Sequence, residues 1–166
     1  MIYKNPVGVL TNNPPFDMQL LRLQEYMQLS RKNPENHFSP KLQLHPDSRG
    51  MGALGLPGDL SSRSRFVRAA FVKLNSRSGA TEMESVSQFF HILGAVDQQR
   101  GCCDVGNEEY EIPIYTSCCN ADRGIYYYTT YDNMSLNAVK LSEQDISGER
   151  IYTFPLERKW QVNFQR

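Results

Sequence analysis

Two kinds of periodicity are kept apart in this chain, and that separation narrows the choice of fold more than any other feature. Up to Leu93 most apolar residues recur at helical spacing, and from Glu109 onward they recur at strand spacing. Phe16, Leu20, Leu23 and Met27 lie at i, i+4, i+7 and i+11 and predict a helix over Phe16–Leu29. Phe66, Val67, Ala70, Phe71 and Leu74 predict a second, starting near Leu60. Val86, Phe89, Phe90 and Leu93 predict a third, opened by the capping box Thr81-x-x-Glu84 and closed by Gly101. Glu109–Cys119 and Ile125–Tyr131 then flank Asn120-Ala-Asp-Arg-Gly124, a hairpin loop ending in glycine. Leu136–Leu141, Ile151–Leu156 and Trp160–Phe164 read as further strands, and Ile2–Leu10 as one that precedes the helices. Tyr126, Tyr127, Tyr128 and Tyr131 fall on both faces of their strand, as in a strand covered on both sides. Helices followed by hairpin-linked strands define an α+β fold with an antiparallel sheet.

Composition sets the outer limits. At 166 residues the chain is expected to form one domain over 1–166, without an internal repeat. Formal net charge is zero, with no basic or acidic block, so neither nucleic acid nor a membrane surface is expected as a partner. No apolar run nears the roughly 18 residues a membrane span needs, and Met1-Ile-Tyr-Lys-Asn5 does not resemble a secretory leader. The expected compartment is the cytoplasm. Cys102-Cys103 and Cys118-Cys119 are vicinal pairs, which lack the CxxC spacing of a metal site and read as reduced core residues. His37 and His45 fit no zinc spacing, and His91 lies off its helix's apolar stripe. No metal is expected.

Gly50-x-Gly52-x-x-Gly55 matches a dinucleotide-binding fingerprint by letters alone. That motif needs a strand before it and a helix opening within it. Here His45-Pro-Asp-Ser-Arg49 precedes and Pro57 follows, so a close-packed glycine loop is expected and no cofactor. The helix that follows has Asp59, Ser61 and Ser62 as candidate caps, yet carries Arg63, Arg65 and Arg68 in its first two turns. Cations there oppose the helix dipole by roughly 0.3–1 kcal/mol each. Something acidic or anionic is therefore expected opposite. Asn12 and Asn13 stand at the end of the first expected strand, where they can be working donors or ordinary turn residues.

A hydrolase needs a nucleophile, a base and donors for developing negative charge. Asn12 or Asn13 can donate, Arg65 and Arg68 supply cations, and no cysteine has a histidine near it in sequence. The residues alone give half a site.

Longer motifs add to this. Asn5-Pro-Val-Gly-Val-Leu-Thr-Asn-Asn-Pro14, Ser48-Arg-Gly-Met-Gly-Ala-Leu-Gly-Leu-Pro-Gly-Asp-Leu-Ser-Ser62, Ser64-Arg-Phe-Val-Arg-Ala-Ala-Phe71 and Val86-Ser-Gln-Phe-Phe-His-Ile-Leu93 closely resemble the choloylglycine hydrolase family. Tyr115-Thr-Ser-Cys-Cys119 and Gly124-Ile-Tyr-Tyr-Tyr-Thr-Thr-Tyr-Asp-Asn133 continue the match over essentially the whole chain. The family comprises bile salt hydrolases and penicillin V acylases, and the likeness is nearer the former. The resemblance implies part of a four-layer αββα N-terminal-nucleophile hydrolase. There a terminal cysteine, with its own α-amino group as base, attacks the amide joining a bile acid to glycine or taurine. By position Asn12 resembles the family's oxyanion-hole asparagine, and Arg65 the arginine beside the nucleophile; Asn13 and Arg68 are adjacent.

The family's members are about twice as long, and this chain resembles their C-terminal half. Ile2 stands where a mature enzyme would need cysteine. The resemblance thus implies a bile-salt-hydrolase-like amidase in truncated form, inactive and poorly stable alone. The alternative is a non-catalytic remnant, or a subunit binding a separately encoded N-terminal half or its own kind. Tyr26–Asp47 corresponds to a region that helps build tetramers in the family. Catalysis by Cys102, Cys103, Cys118 or Cys119 is the least favoured reading.

Overall fold

The computed structural model describes Ile2 and residues 4–165. These residues form two compact units, the first ending at Arg77 and the second beginning at Ser78. The division falls inside Asn75-Ser-Arg-Ser-Gly79, where both polar composition and glycine break the helical pattern.

The first unit is built around two helices. α1 spans Phe16–Arg22 and tightens into a 3₁₀ turn over Leu23–Tyr26. α2 spans Ser62–Asn75. They meet through Phe16 and Phe66, whose rings pack edge to face at 6.2 Å. Phe66, Val67, Ala69 and Ala70 are buried on α2, close to the face expected from the spacing, while Leu74 is exposed. α1 is shorter than expected, and Met27 is 80% exposed. The backbone explains the early stop. The Leu29 N–H turns back to the Tyr26 carbonyl at 3.0 Å, and the Ser30 N–H leaves the helix for the Gly52 carbonyl at 2.8 Å. Gly52 is where the glycine loop needs to lack a side chain, because a Cβ would run into the Ser30 and Lys32 carbonyl oxygens. The loop packs closely on backbone, and no strand among the described residues leads into it.

The strand expected over Ile2–Leu10 does not form; Tyr3, within it, lies outside the described residues. Local hydrogen bonds replace the ladder. Asn5 Oδ1 accepts from the N–H groups of Val7 (3.1 Å) and Gly8 (2.8 Å), and Asn5 Nδ2 donates to the Val9 carbonyl at 2.9 Å. Gly8 has φ of 63°, and Lys73 Nζ, from the last turn of α2, donates to the Val7 carbonyl at 2.6 Å. The segment is anchored as a bonded loop with Val7 buried.

The second unit packs a helix on a sheet. α3 spans Glu82–Gly94 and starts with the expected capping box: the Glu84 N–H donates to Thr81 Oγ1, and the Thr81 N–H donates to Glu84 Oε2. Two short strands, β1 (Asp104–Gly106) and β2 (Glu109–Tyr110), pair with each other. β3 (Tyr115–Asn120), β4 (Ile125–Thr130) and β5 (Asn133–Lys140) form an antiparallel sheet in that order. The strand expected from Glu109 to Cys119 is thus two strands, parted where Pro113 cannot donate to a ladder. The hairpin register sets Cys118 opposite Tyr127, and β4 then sets Tyr127 opposite Ala138. Val86 and the half-buried Phe90 of α3 pack on Cys118, Ile125 and Tyr127. Tyr128 points the other way, and its hydroxyl accepts from the Glu157 N–H at 3.3 Å, so β4 is covered on both faces.

The segments Ile151–Leu156 and Trp160–Phe164, expected as strands, have no regular secondary structure. No described strand pairs with them, and a strand without ladder partners leaves its N–H and C=O groups to solvent. Instead the tail is held at Glu157 and at Arg158, whose Nη1 lies 3.7 Å from Asp132 Oδ2. The Glu157 carbonyl accepts from Thr130 Oγ1 and from Asn133 Nδ2, which belongs to a fully buried side chain.

Candidate active site

The expected site residues, Asn12 and Arg65, both lie in the first unit. Asn12 is exposed on the turn Thr11–Pro14, whose Asn13–Pro14 bond is cis. Its carboxamide makes no hydrogen bond to a described residue, so both its N–H groups remain available. The turn is tied to the head of α2, because the Asn13 N–H donates to Ser62 Oγ at 3.1 Å. Asn12 therefore sits on a segment bonded three residues ahead of Arg65.

The head of α2 resolves the apparent charge conflict. Ser61 is the cap, with Oγ accepting from the Ser64 N–H at 3.3 Å. Arg65 Nη1 donates to the Leu60 carbonyl at 2.7 Å, and Arg68 Nη1 donates to the carbonyls of Pro57 (2.7 Å) and Asp59 (3.1 Å). The expected anion is largely the negative ends of loop carbonyls. Asp59 adds one full charge: its carboxylate accepts from the Ser61 N–H at 3.0 Å and from Ser64 Oγ at 2.5 Å. Hydrogen bonds from Ser61 foremost, and then from Ser64, lower its pKa from 3.8 to about 2. A guanidinium has five N–H donors, so Arg65 can hold Leu60 and still present a cation to a ligand.

Sequence spacing missed Gln19. It lies between the apolar positions of α1 and is 1% exposed, yet its Nε2 donates to Thr11 Oγ1 at 2.8 Å and to the Asn13 carbonyl at 2.6 Å. Helical periodicity assigns such a glutamine to solvent, and only the fold shows the turn that covers it. Ser64 was likewise unremarked as a core residue and is buried beneath Asp59.

The cysteines stand elsewhere, on the second unit, and all four are free thiols. Burial, and then its neighbour Cys119, push the Cys118 thiol up, the reverse of what a nucleophile requires. Among the described residues no cluster of His, Cys, Asp and Glu could hold a metal ion, and no helix is long and apolar enough to cross a membrane.

Comparison with known proteins gives the family. Residues 1–154 match the linear amide C–N hydrolases of the choloylglycine hydrolase family, and the chain belongs to that family. It is 58% identical over 160 residues to the bile salt hydrolase/transferase of Lactiplantibacillus plantarum, covering 96% of this chain and 49% of the relative. The crystal structure of a mutant conjugated bile acid hydrolase from Clostridium perfringens superposes with a TM-score of 0.84 at 34% identity, over 96% of this chain and 49% of that one. Penicillin V acylase from Agrobacterium tumefaciens shares the fold, with a TM-score of 0.61 at 19% identity, over 85% of this chain and 38% of that one. The architecture is accordingly α+β and part of an N-terminal-nucleophile hydrolase fold. The chain spans about half the length of the curated relatives it matches.

Proposed function

We propose that this chain supplies the oxyanion-binding part of an amidase that hydrolyses the C–N bond between a bile acid and glycine or taurine. It forms one half of a single catalytic domain. The nucleophilic cysteine belongs to the half of the relatives that this chain does not match. The observation that carries this is the 58% identity to a bile salt hydrolase/transferase across 96% of the chain, a stretch that includes the turn at Asn12 and the head of α2. In the proposed reaction a thiolate attacks the amide carbon and the carbonyl becomes an oxyanion. Asn12 donates an N–H to that oxygen, and Arg65 adds a fixed positive charge that favours thiolate over thiol. The C–N bond then breaks, the amine leaves with a proton, and water cleaves the thioester.

The exposed apolar tail supports the two-part reading. Ile151, Trp160 and Phe164 are 88%, 58% and 87% exposed, as befits residues that the unmatched half covers. The same surface favours the alternative, a non-catalytic subunit that self-associates, with the largely exposed segment Tyr26–Asp47 as a further contact. The four free cysteines suit a reducing, cytoplasmic setting.

The test is release of glycine or taurine from conjugated bile salts, with this chain alone and with the unmatched half of the Lactiplantibacillus relative co-expressed. Turnover is expected only with both halves, and Asn12→Ala should lower kcat about 10²–10³-fold. Full turnover by this chain alone would overturn the two-part reading. Association without turnover would favour the non-catalytic one.

A further inference from the structure

We propose that Gln19 is a positioning residue that fixes the direction in which Asn12 presents its carboxamide. This rests on the reading of Asn12 as the oxyanion donor. Gln19 is 1% exposed, and Nε2 commits one N–H to Thr11 Oγ1 and the other to the Asn13 carbonyl. Those partners are the residues immediately before and after Asn12. The Asn13 oxygen can only accept, so the carboxamide cannot be flipped without setting two oxygens against each other. The far end of the turn is held by a different element, through the Asn13 N–H and Ser62 Oγ. The backbone of Asn13 is thus bonded at both its N–H and its carbonyl, and Thr11 is bonded through its side chain. Asn12 alone is left exposed and unbonded between them.

Stability alone does not explain this choice of residue. Gln19 Oε1 is buried without a partner among the described residues, and a buried unpaired carbonyl is unfavourable. Leu or Met would fill much the same volume at a helix position that otherwise faces the core. What the glutamine adds is two directed donors on the turn. An oxyanion donor has to meet the developing charge at about 2.7–3.1 Å, and a misplacement of about 1 Å can lower a rate about 10²-fold. A polar clamp beneath the turn holds that tolerance; an apolar residue would only support the turn from below.

Gln19→Met keeps the volume and removes the donors, and Gln19→Glu keeps the shape and reverses the bonding. In the full chain, amide hydrogen exchange at Asn13, whose N–H is bonded to Ser62, should rise about tenfold in both variants, with Phe66–Ala70 of α2 unchanged. This arm needs no turnover. Unchanged exchange at Asn13 overturns the clamp, and equal acceleration in α2 reduces Gln19 to an ordinary core residue. In the chain complemented by the unmatched half of the Lactiplantibacillus relative, kcat should fall about tenfold with KM little changed. Adding Gln19→Met to Asn12→Ala should cost no more than Asn12→Ala alone, since both act through one group. Additive losses overturn the positioning role while leaving Asn12 as donor. Full turnover by Asn12→Ala overturns the donor reading, and the positioning role with it, even where exchange shows the clamp intact.

Discussion

The two longest helices of this chain start in opposite ways. α3 opens with Glu82 and Glu84 in its first turn and a reciprocal capping box, so charge, cap and dipole agree. α2 opens with no acid in its first turn, one serine cap, and arginines at 63, 65 and 68. At the head of α3 the side chains serve the fold. Glu82 accepts from Asn120 Nδ2, Tyr127 OH and Arg123, and so fastens the helix to the β3–β4 hairpin. Burial raises the pKa of Glu82, but these three donors outweigh it and leave the net shift downward. At the head of α2 the arginines instead gather the carbonyls of Pro57, Asp59 and Leu60 around themselves. Those carbonyls offset the cost of the Arg65 and Arg68 cations at a positive helix end.

The caps give the largest measurable contrast. Thr81→Ala removes one side of a two-way box and should destabilise the second unit by about 1–2 kcal/mol. Ser61→Ala should cost about 1 kcal/mol or less, because Asp59 still bonds the Ser61 N–H. Urea unfolding of the two variants checks this. Equal losses would mean that Asp59 does not support the head of α2.

Acid offers a second and smaller contrast, since Asp59 is exposed and its bonds are screened by solvent. Its folded pKa lies below its ordinary value, so its stabilisation is complete above about pH 4 and is lost as the pH falls towards 2. A carboxyl NMR titration should place the Asp59 midpoint near 2, and Ser64→Ala should move it upward. A midpoint at the ordinary 3.8 would show that the Ser61 and Ser64 bonds do not form in solution.

Legibility in the sequence followed the range of the interactions. The capping box at Thr81, the hairpin at Asn120–Gly124 and the greater part of the apolar faces of α2 and α3 depend on neighbours within a few residues and appear as expected, while Leu74 and Phe89 of those faces are exposed. Ile2–Leu10 and the two tail segments had strand-like composition, but a strand is completed only by a distant partner, and none of the described strands pairs with them. The proposed site divides in the same way. Asn12 and Arg65 could be singled out by residue type and family likeness. Gln19 could not, since it works through Thr11 and Asn13, eight and six residues away, across a turn that spacing does not predict. Nor could periodicity show where Arg65 goes: a helical wheel sends it to solvent, whereas the preceding loop bends back and offers it a carbonyl.

The smallest effect separates the arginines from one another. Arg63 is exposed and bonds to no described residue, whereas Arg65 and Arg68 hold loop carbonyls. Arg63→Glu puts an acid where the dipole favours one and should stabilise α2 by about 0.3–1 kcal/mol. Arg65→Gln removes a similar dipole penalty but also gives up a charged donor to Leu60, so its net effect on stability should be near zero or slightly unfavourable. Thermal melts of the two variants decide between two views of the helix head. If both substitutions stabilise equally, all three arginines are merely tolerated surface charges. If only Arg63→Glu stabilises, Arg65 is set apart from its neighbour by bonds that fix its side chain, as a cation held in place for catalysis has to be.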